Sequence, residues 1–115
     1  MVKIEIIGRL TADPSMNEVR GKNCTNFTVA ADTNLKDSDG NKITQFYRVS
    51  AWGKQAEACA KFLNKASQVF VSGSLKVDTY SGSDGSTKVG LSISANEVQF
   101  LGGKQKSEEN DMFND

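Results

Sequence analysis

One change of period constrains this chain more than any other feature. Across residues 53–64, Ala56, Cys59, Ala60 and Leu63 recur at helical spacing, which makes a short amphipathic helix. The segments around it alternate apolar and polar residues, as half-buried strands do. Residues 2–10 set Val2, Ile4 and Ile6 against Lys3, Glu5 and Ile7. Residues 23–32 group Thr25, Phe27, Val29 and Ala31, and residues 43–52 group Tyr47, Val49 and Ala51. Beyond the helix, residues 68–80 turn Val69, Val71, Leu75 and Val77 inward, and residues 87–101 do the same with Val89, Leu91, Ile93 and Ala95. Turn formers at 12–15 and long loops at 34–42 and 81–86 separate these stretches.

Three strands, one helix and two strands predict an all-β chain with one short helix. That order is the OB-fold, a five-stranded Greek-key barrel with its helix between strands three and four. At 115 residues there is room for one such domain, expected over 1–103. Residues 104–115 form a short polar tail, expected to be disordered. OB-folds hold oligonucleotides, oligosaccharides or proteins, so fold alone does not choose among them.

Residues 44–52, T-Q-F-Y-R-V-S-A-W, narrow the choice. The face opposite Tyr47, Val49 and Ala51 carries Phe46, Arg48, Ser50 and Trp52. Flat rings on either side of a guanidinium, on an outward sheet face, suit unstacked nucleic-acid bases; the plainer reading is that Phe46 or Trp52 closes one end of a core.

Charge fits the first reading weakly: residues 1–106 hold all 14 Lys and Arg against 10 acids, and residues 107–115 hold four acids and no base. The absence of histidine removes imidazole bases and the commonest metal ligand. Cys24 and Cys59 stand far apart, as buried reduced thiols would, without zinc-site spacing. There is no phosphate-cradling G-x-x-x-x-G-K-S/T motif and no carboxylate cluster, so no catalytic residues, metal or cofactor are expected. The N-terminus does not read as a signal peptide and no apolar run approaches ~18 residues, so a soluble, cytoplasmic protein is expected.

With those residues in hand, the chain resembles the bacterial-type single-stranded DNA-binding proteins of the SSB family over about residues 1–103. The resemblance rests on V-K-I-E-I-I-G-R-L-T-A-D-P at the start, N-F-T-V-A at 26–30, F-Y-R-V at 46–49 and W-G-K at 52–54. It continues through K-A-S-Q-V-F-V-S-G-S-L at 65–75 and F-L-G-G at 100–103. It implies binding of single-stranded DNA, with bases stacked on Phe46, Trp52 and Tyr80. Phosphates would fall to Arg48, Lys54, Lys76 and Lys88, with Lys3, Arg9, Lys22 and Lys42 as further candidates. A homotetramer, a dimer of dimers, is implied too, with Tyr47, Phe70, Ile4 and Ile6 at subunit contacts. A plain core tyrosine is the competing reading of Tyr47, and stacking on DNA is that of Phe70, which shares an outward face with Ser72, Ser74 and Lys76.

Three positions depart from the family pattern. Leu35 stands where an aromatic is usual, and Ala66 where a glycine follows the helix. If position 66 needs a left-handed backbone, alanine there costs about 1–2 kcal/mol, unless Asn64 takes that conformation instead. The tail, S-E-E-N-D-M-F-N-D, keeps acid and aromatic character but puts Asn114 and Asp115 after Phe113. Met112 and Phe113 are the candidates there for docking replication or repair proteins. Leu35 and this tail keep a second reading open: an OB-fold accessory module, of a primosome or mobile element, that binds mainly proteins.

Overall fold

The computed structural model describes residues 1–103, so the tail, with Met112 and Phe113, lies outside the described residues. Six strands and one helix follow in the order β1 (Lys3–Leu10), β2 (Ser15–Val19), β3 (Lys22–Lys36), β4 (Lys42–Trp52), α1 (Lys54–Phe62), β5 (Ser67–Ser81) and β6 (Thr87–Gly103). They pair in the order β1-β5-β6-β4-β3-β2, and a β1–β3 pairing closes the sheet on itself. Only β4 and β6 run parallel. The closed part, β1-β5-β6-β4-β3, with α1 between β4 and β5, is the expected OB-fold.

The sixth strand is β2, for which the sequence predicts nothing. Its five residues are all exposed, so no face of S-M-N-E-V needs burying. It forms because a turn through Arg20 (φ 52°) and Gly21 (φ 77°) folds it back on the edge of β3, Val19 opposite Lys22.

The inward alternation of the strands fills the barrel. Val29, Val49, Val69, Val71 and Ile93 are essentially inaccessible, joined by Phe27, Leu10, Ala51 and Ile6. Closure needs a close approach of β1 and β3. A methyl group at Gly8 would run into the Ala30 carbonyl oxygen, so that crossing admits no side chain. The helix caps the barrel with Ala56 and Cys59, and Leu63, just past its end, is fully buried. The buried Thr25 hydroxyl donates to the Ala56 carbonyl, 2.6 Å, and fastens α1 to β3.

Three expectations change. The loop at 34–42 shrinks to a turn at 37–41, because β3 runs on to Lys36 opposite Lys42. Within it Asp37 Oδ1 accepts from the amides of Asp39 and Asn41, so the turn formers cap a longer hairpin. Val77 and Val89 have the inward parity but are 56% and 60% exposed. The β5–β6 hairpin outruns the barrel there, and no described element covers that side. Ala66, not Asn64, adopts the left-handed backbone, at φ 76°.

Candidate nucleic-acid interface

The outward parity of β3, β4, β5 and β6 builds a layered surface, one row of cross-strand neighbours above the next. One row runs Lys76–Ser92–Arg48–Thr28, from β5 through β6 and β4 to β3. The next runs Ser74–Ser94–Ser50–Asn26 and reaches Ser15 on β2. Trp52 lies one step further, opposite Cys24. On the other side of the arginine row are Phe46 and, across the hairpin, Tyr80 opposite Lys88. Phe46, Trp52 and Tyr80 are all exposed, at 57%, 38% and 53%. Large rings that the core does not use, held on rigid strands, are free to stack on a ligand. Phe46 and Trp52 are six residues apart on β4, about 20 Å at ~3.3 Å per residue.

Two grooves cross this surface and share a wall. The larger, about 580 Å³, is lined by Phe46, Arg48, Asp78, Tyr80 and Gly90. The second, about 450 Å³, is lined by Asn26, Thr28, Arg48, Ser50 and Ser92, with Asp13 at its end. Arg48 belongs to both. A methyl group at Gly90 would lie 3.4 Å from Arg48 Nη2 and 3.5 Å from Tyr80 Cε1, in ordinary contact with both, so only a larger side chain would press on that guanidinium and ring. Trp52 lines neither groove.

The basic residues divide. Arg48, Lys76 and Lys88 lie within the layered surface, and Lys76 keeps an exposed pairing with Asp78, 3.9 Å. Such an exposed pair contributes little and leaves the ammonium available. Lys3 sits at the margin, on β1 opposite Ser74. Arg9 donates to the Ala66 carbonyl, 3.1 Å, at the other end of β1. Lys22 stands at the β2–β3 turn, Lys54 opens α1 and Lys42 faces Lys36 at the hairpin end, so none of these three shares a row with the aromatics. Leu35 is 64% exposed on the same hairpin arm.

The subunit-contact candidates also divide. Ile6 is a core residue, 8% exposed, and Ile4 packs against the core. They share the inward face of β1, Ile4 half-buried, and the outward side carries Glu5 and Ile7. Tyr47 packs partly against the core, yet it also lines, with Phe70, Ile7 and Ala31, a cleft of about 460 Å³ at the mouth of the barrel. Phe70 is paired directly with Ile7. Beside them, β1 pairs with β3 only at Arg9 and Leu10, and Gly8 packs on Ala30, so one edge of residues 3–7 has no paired strand among the described residues.

Among the described residues, no group of three or more His, Cys, Asp or Glu is gathered that could hold a metal ion. Cys24 and Cys59 are buried free thiols, and burial pushes the Cys59 thiol up to about 12, away from the reactive thiolate. Sequence reasoning passed over Asn26, Ser92 and Gly90 as site residues. The parity of β3 and the spacing of β6 carried the signal, but small polar residues read as ordinary surface.

Residues 1–101 match the family described as "Single-strand binding protein family". The chain belongs to that family. "Single-stranded DNA-binding protein 1" of Clostridium acetobutylicum is 38% identical over 109 residues, covering 93% of this chain and 99% of that protein. "Single-stranded DNA-binding protein" of Xanthomonas axonopodis pv. citri is 39% identical over 105 residues, 89% of this chain but only 58% of its own length. The chain thus spans nearly all of the clostridial relative and under two thirds of the Xanthomonas one. In structure it is similar to a small single-stranded DNA-binding protein from Streptomyces coelicolor, with a TM-score of 0.72, 21% identity and coverage of 87% and 94% of the two chains. That likeness bears on the fold, which it shares.

Proposed function

We propose that this protein is a non-catalytic binder of single-stranded DNA that coats and protects strands exposed in replication, recombination or repair. The observation that carries it is the placement of Phe46, Arg48 and Tyr80 around one groove, with Lys76 and Lys88 in the adjoining rows and Trp52 further along β4. A single strand laid across these rows stacks bases on the rings, each worth about 1–3 kcal/mol by truncation, whatever their sequence. The cations take its phosphates and release counterions, so binding falls steeply with salt. Double-stranded DNA hides its base faces and loses the stacking contribution.

The chain acts as a homotetramer built from dimers, in the cytoplasm and on the nucleoid. The unpaired edge of β1, with Ile7, Phe70 and the Tyr47 cleft beside it, offers a second copy both backbone hydrogen bonds and apolar area. Replication or repair proteins dock on the acidic tail through Met112 and Phe113.

Trp52 is the only tryptophan, which makes a direct test. Oligo-dT quenches its emission and high salt restores it, while light scattering reports a tetramer with and without DNA. Emission that ignores a large excess of oligo-dT, with no binding by filter retention, overturns the proposal. Nucleic-acid-independent capture of a partner protein by a chain that binds single strands weakly favours the accessory-module reading instead.

A further inference from the structure

A second patterned surface lies where α1 gives way to β5. Phe62, the last residue of α1, meets Phe100 of β6 with ring centroids 6.2 Å apart, and both rings are only half-buried. Leu101, next along β6, is 43% exposed. Cations stand around this apolar spot. Lys61 Nζ lies 5.3 Å from the Phe62 centroid, Lys65 is exposed in the joint, and Arg9 holds the Ala66 carbonyl beside it. Two acids are near: Glu57, one turn before Lys61, and Asp13, whose Oδ1 accepts from the Lys65 amide at 2.8 Å. The described chain ends at the same place, since Gly102 pairs with Gln68 and Gly103 with Ser67. Beyond it run residues 104–115, K-Q-K-S-E-E-N-D-M-F-N-D, whose acidic and apolar side chains complement the joint in kind.

We infer that the chain's own acidic tail docks in cis on this joint, Glu108, Glu109 and Asp111 against Lys61, Lys65 and Arg9, and Met112 with Phe113 against the Phe62–Phe100 pair. Where the tail starts and how long it is both favour this site. Lys65 is two residues from Ser67, the partner of Gly103, so the joint holds the first cations of the barrel that the tail meets. Glu108 and Glu109 are five and six residues beyond Gly103, at most about 20 Å of extended chain, and Phe113 has about 35 Å in which to fold back. So short a tether holds the acids at roughly millimolar effective concentration. Exposed ion pairs and one aromatic contact, too weak to hold a free peptide, then suffice. Docking there leaves Phe46, Arg48 and Tyr80 uncovered, and a protein that takes Met112 and Phe113 has to lift the tail first. The inference stands apart from the proposed function and holds whether or not the outward rows bind DNA.

A nitroxide at the chain end tests it, attached through Asp115→Cys to isotope-labelled protein; Cys24 and Cys59 are buried and take no label. At low salt the nitroxide broadens the amide resonances of residues 60–66 and leaves those of Arg48, Ser50 and Ser92 sharp. At about 1 M salt, where the screening length falls to about 3 Å, the joint sharpens again. Phe113→Ala lowers the docked-to-free ratio about tenfold, the scale of uncovering most of a ring, and Glu109→Gln about twofold, the scale of one exposed ion pair. Both substitutions lie outside the barrel, so their effect is not a folding defect. Lys65→Glu, on the receiving side, releases the tail with little change in Tm. Broadening that is absent, or that Phe113→Ala and Glu109→Gln leave unchanged, overturns the inference. So does broadening centred on Arg48 and Ser50, which puts the tail in the groove. Isotope-labelled wild-type chain mixed with spin-labelled chain of natural isotope content gives no broadening at the joint; broadening there assigns the site to a second copy and overturns docking in cis.

Discussion

Replacing Ala66 by glycine is expected to stabilise this protein. Ala66 sits at φ 76°, where the β-carbon crowds the following carbonyl at about 1–2 kcal/mol. The surroundings hold it there. Its amide donates to the Leu10 carbonyl, 2.9 Å, and its carbonyl accepts from Arg9 Nη1, 3.1 Å. The next residue, Ser67, is fully buried; its amide donates to the Asn64 carbonyl, 3.0 Å, and its hydroxyl to the Asn64 side chain, 2.9 Å. Relaxing position 66 toward negative φ would break this clasp between β1 and the start of β5. Glycine removes the crowding, and its extra freedom in the unfolded chain takes back about 0.4–1 kcal/mol. The net gain is about 0.5–1 kcal/mol, a rise in Tm of roughly 2–5 °C for a domain of this size. Ala66→Val, β-branched at the same φ, falls by more than 1 kcal/mol. Urea or thermal unfolding measures both, and DNA titration should not distinguish them, since position 66 lies outside the aromatic rows. An Ala66→Gly variant less stable than wild type would refute the strain argument and assign the conformation to favourable contacts of the methyl group.

Other expectations follow from the same geometry. Arg48→Ala should weaken binding of oligo-dT and flatten the slope of log K against log salt by about 1, whereas Lys22→Ala, at the β2–β3 turn, should leave the slope nearly unchanged. Gly90→Val, whose branched side chain enters the space between Arg48 and Tyr80, should lower oligo-dT affinity roughly tenfold by displacing one stacking ring, while the urea midpoint moves little. The buried Cys59 thiol, pushed up to about 12, keeps its proton in the folded state when an unfolded thiol has lost it. Its contribution is therefore intact below the ordinary thiol range and declines as pH rises from about 9 toward 12, by up to about 1.4 kcal/mol per pH unit. Urea midpoints at pH 8 and 10 should separate more in wild type than in Cys59→Ala; equal separations would show that the alkaline loss lies elsewhere.

Alternation told the sequence reader which way each side chain points, and it was reliable wherever something packs on the inward side. Val49, Val71 and Ile93 were legible as core, and Phe46, Arg48 and Trp52 as the opposite face, from one parity rule. Parity is silent on how far the barrel extends. Val77 and Val89 point the core way and still meet solvent, because the β5–β6 hairpin continues past the last element able to cover them. β2 was illegible for the opposite reason: a strand with no buried face leaves no apolar period, and only its hydrogen bonding to β3 makes it one. The backbone at position 66 could not be read from alanine, which normally avoids positive φ. It became a question only through the resemblance to chains with glycine there.

The core and the binding surface are two sides of the same register, and that ties stability to function. Sliding β4 by one residue against β3 would turn Val49 and Ala51 outward and drive Arg48 and Ser50 into the barrel. Burying an unpaired guanidinium costs several kcal/mol, so the slipped state is scarcely populated. The rings of Phe46 and Trp52 are therefore held in place by residues that never meet the ligand. On the proposed reading, a strand of DNA arriving at this surface would find the spacing of these two rings already set, and the ordering cost would fall mainly on the DNA.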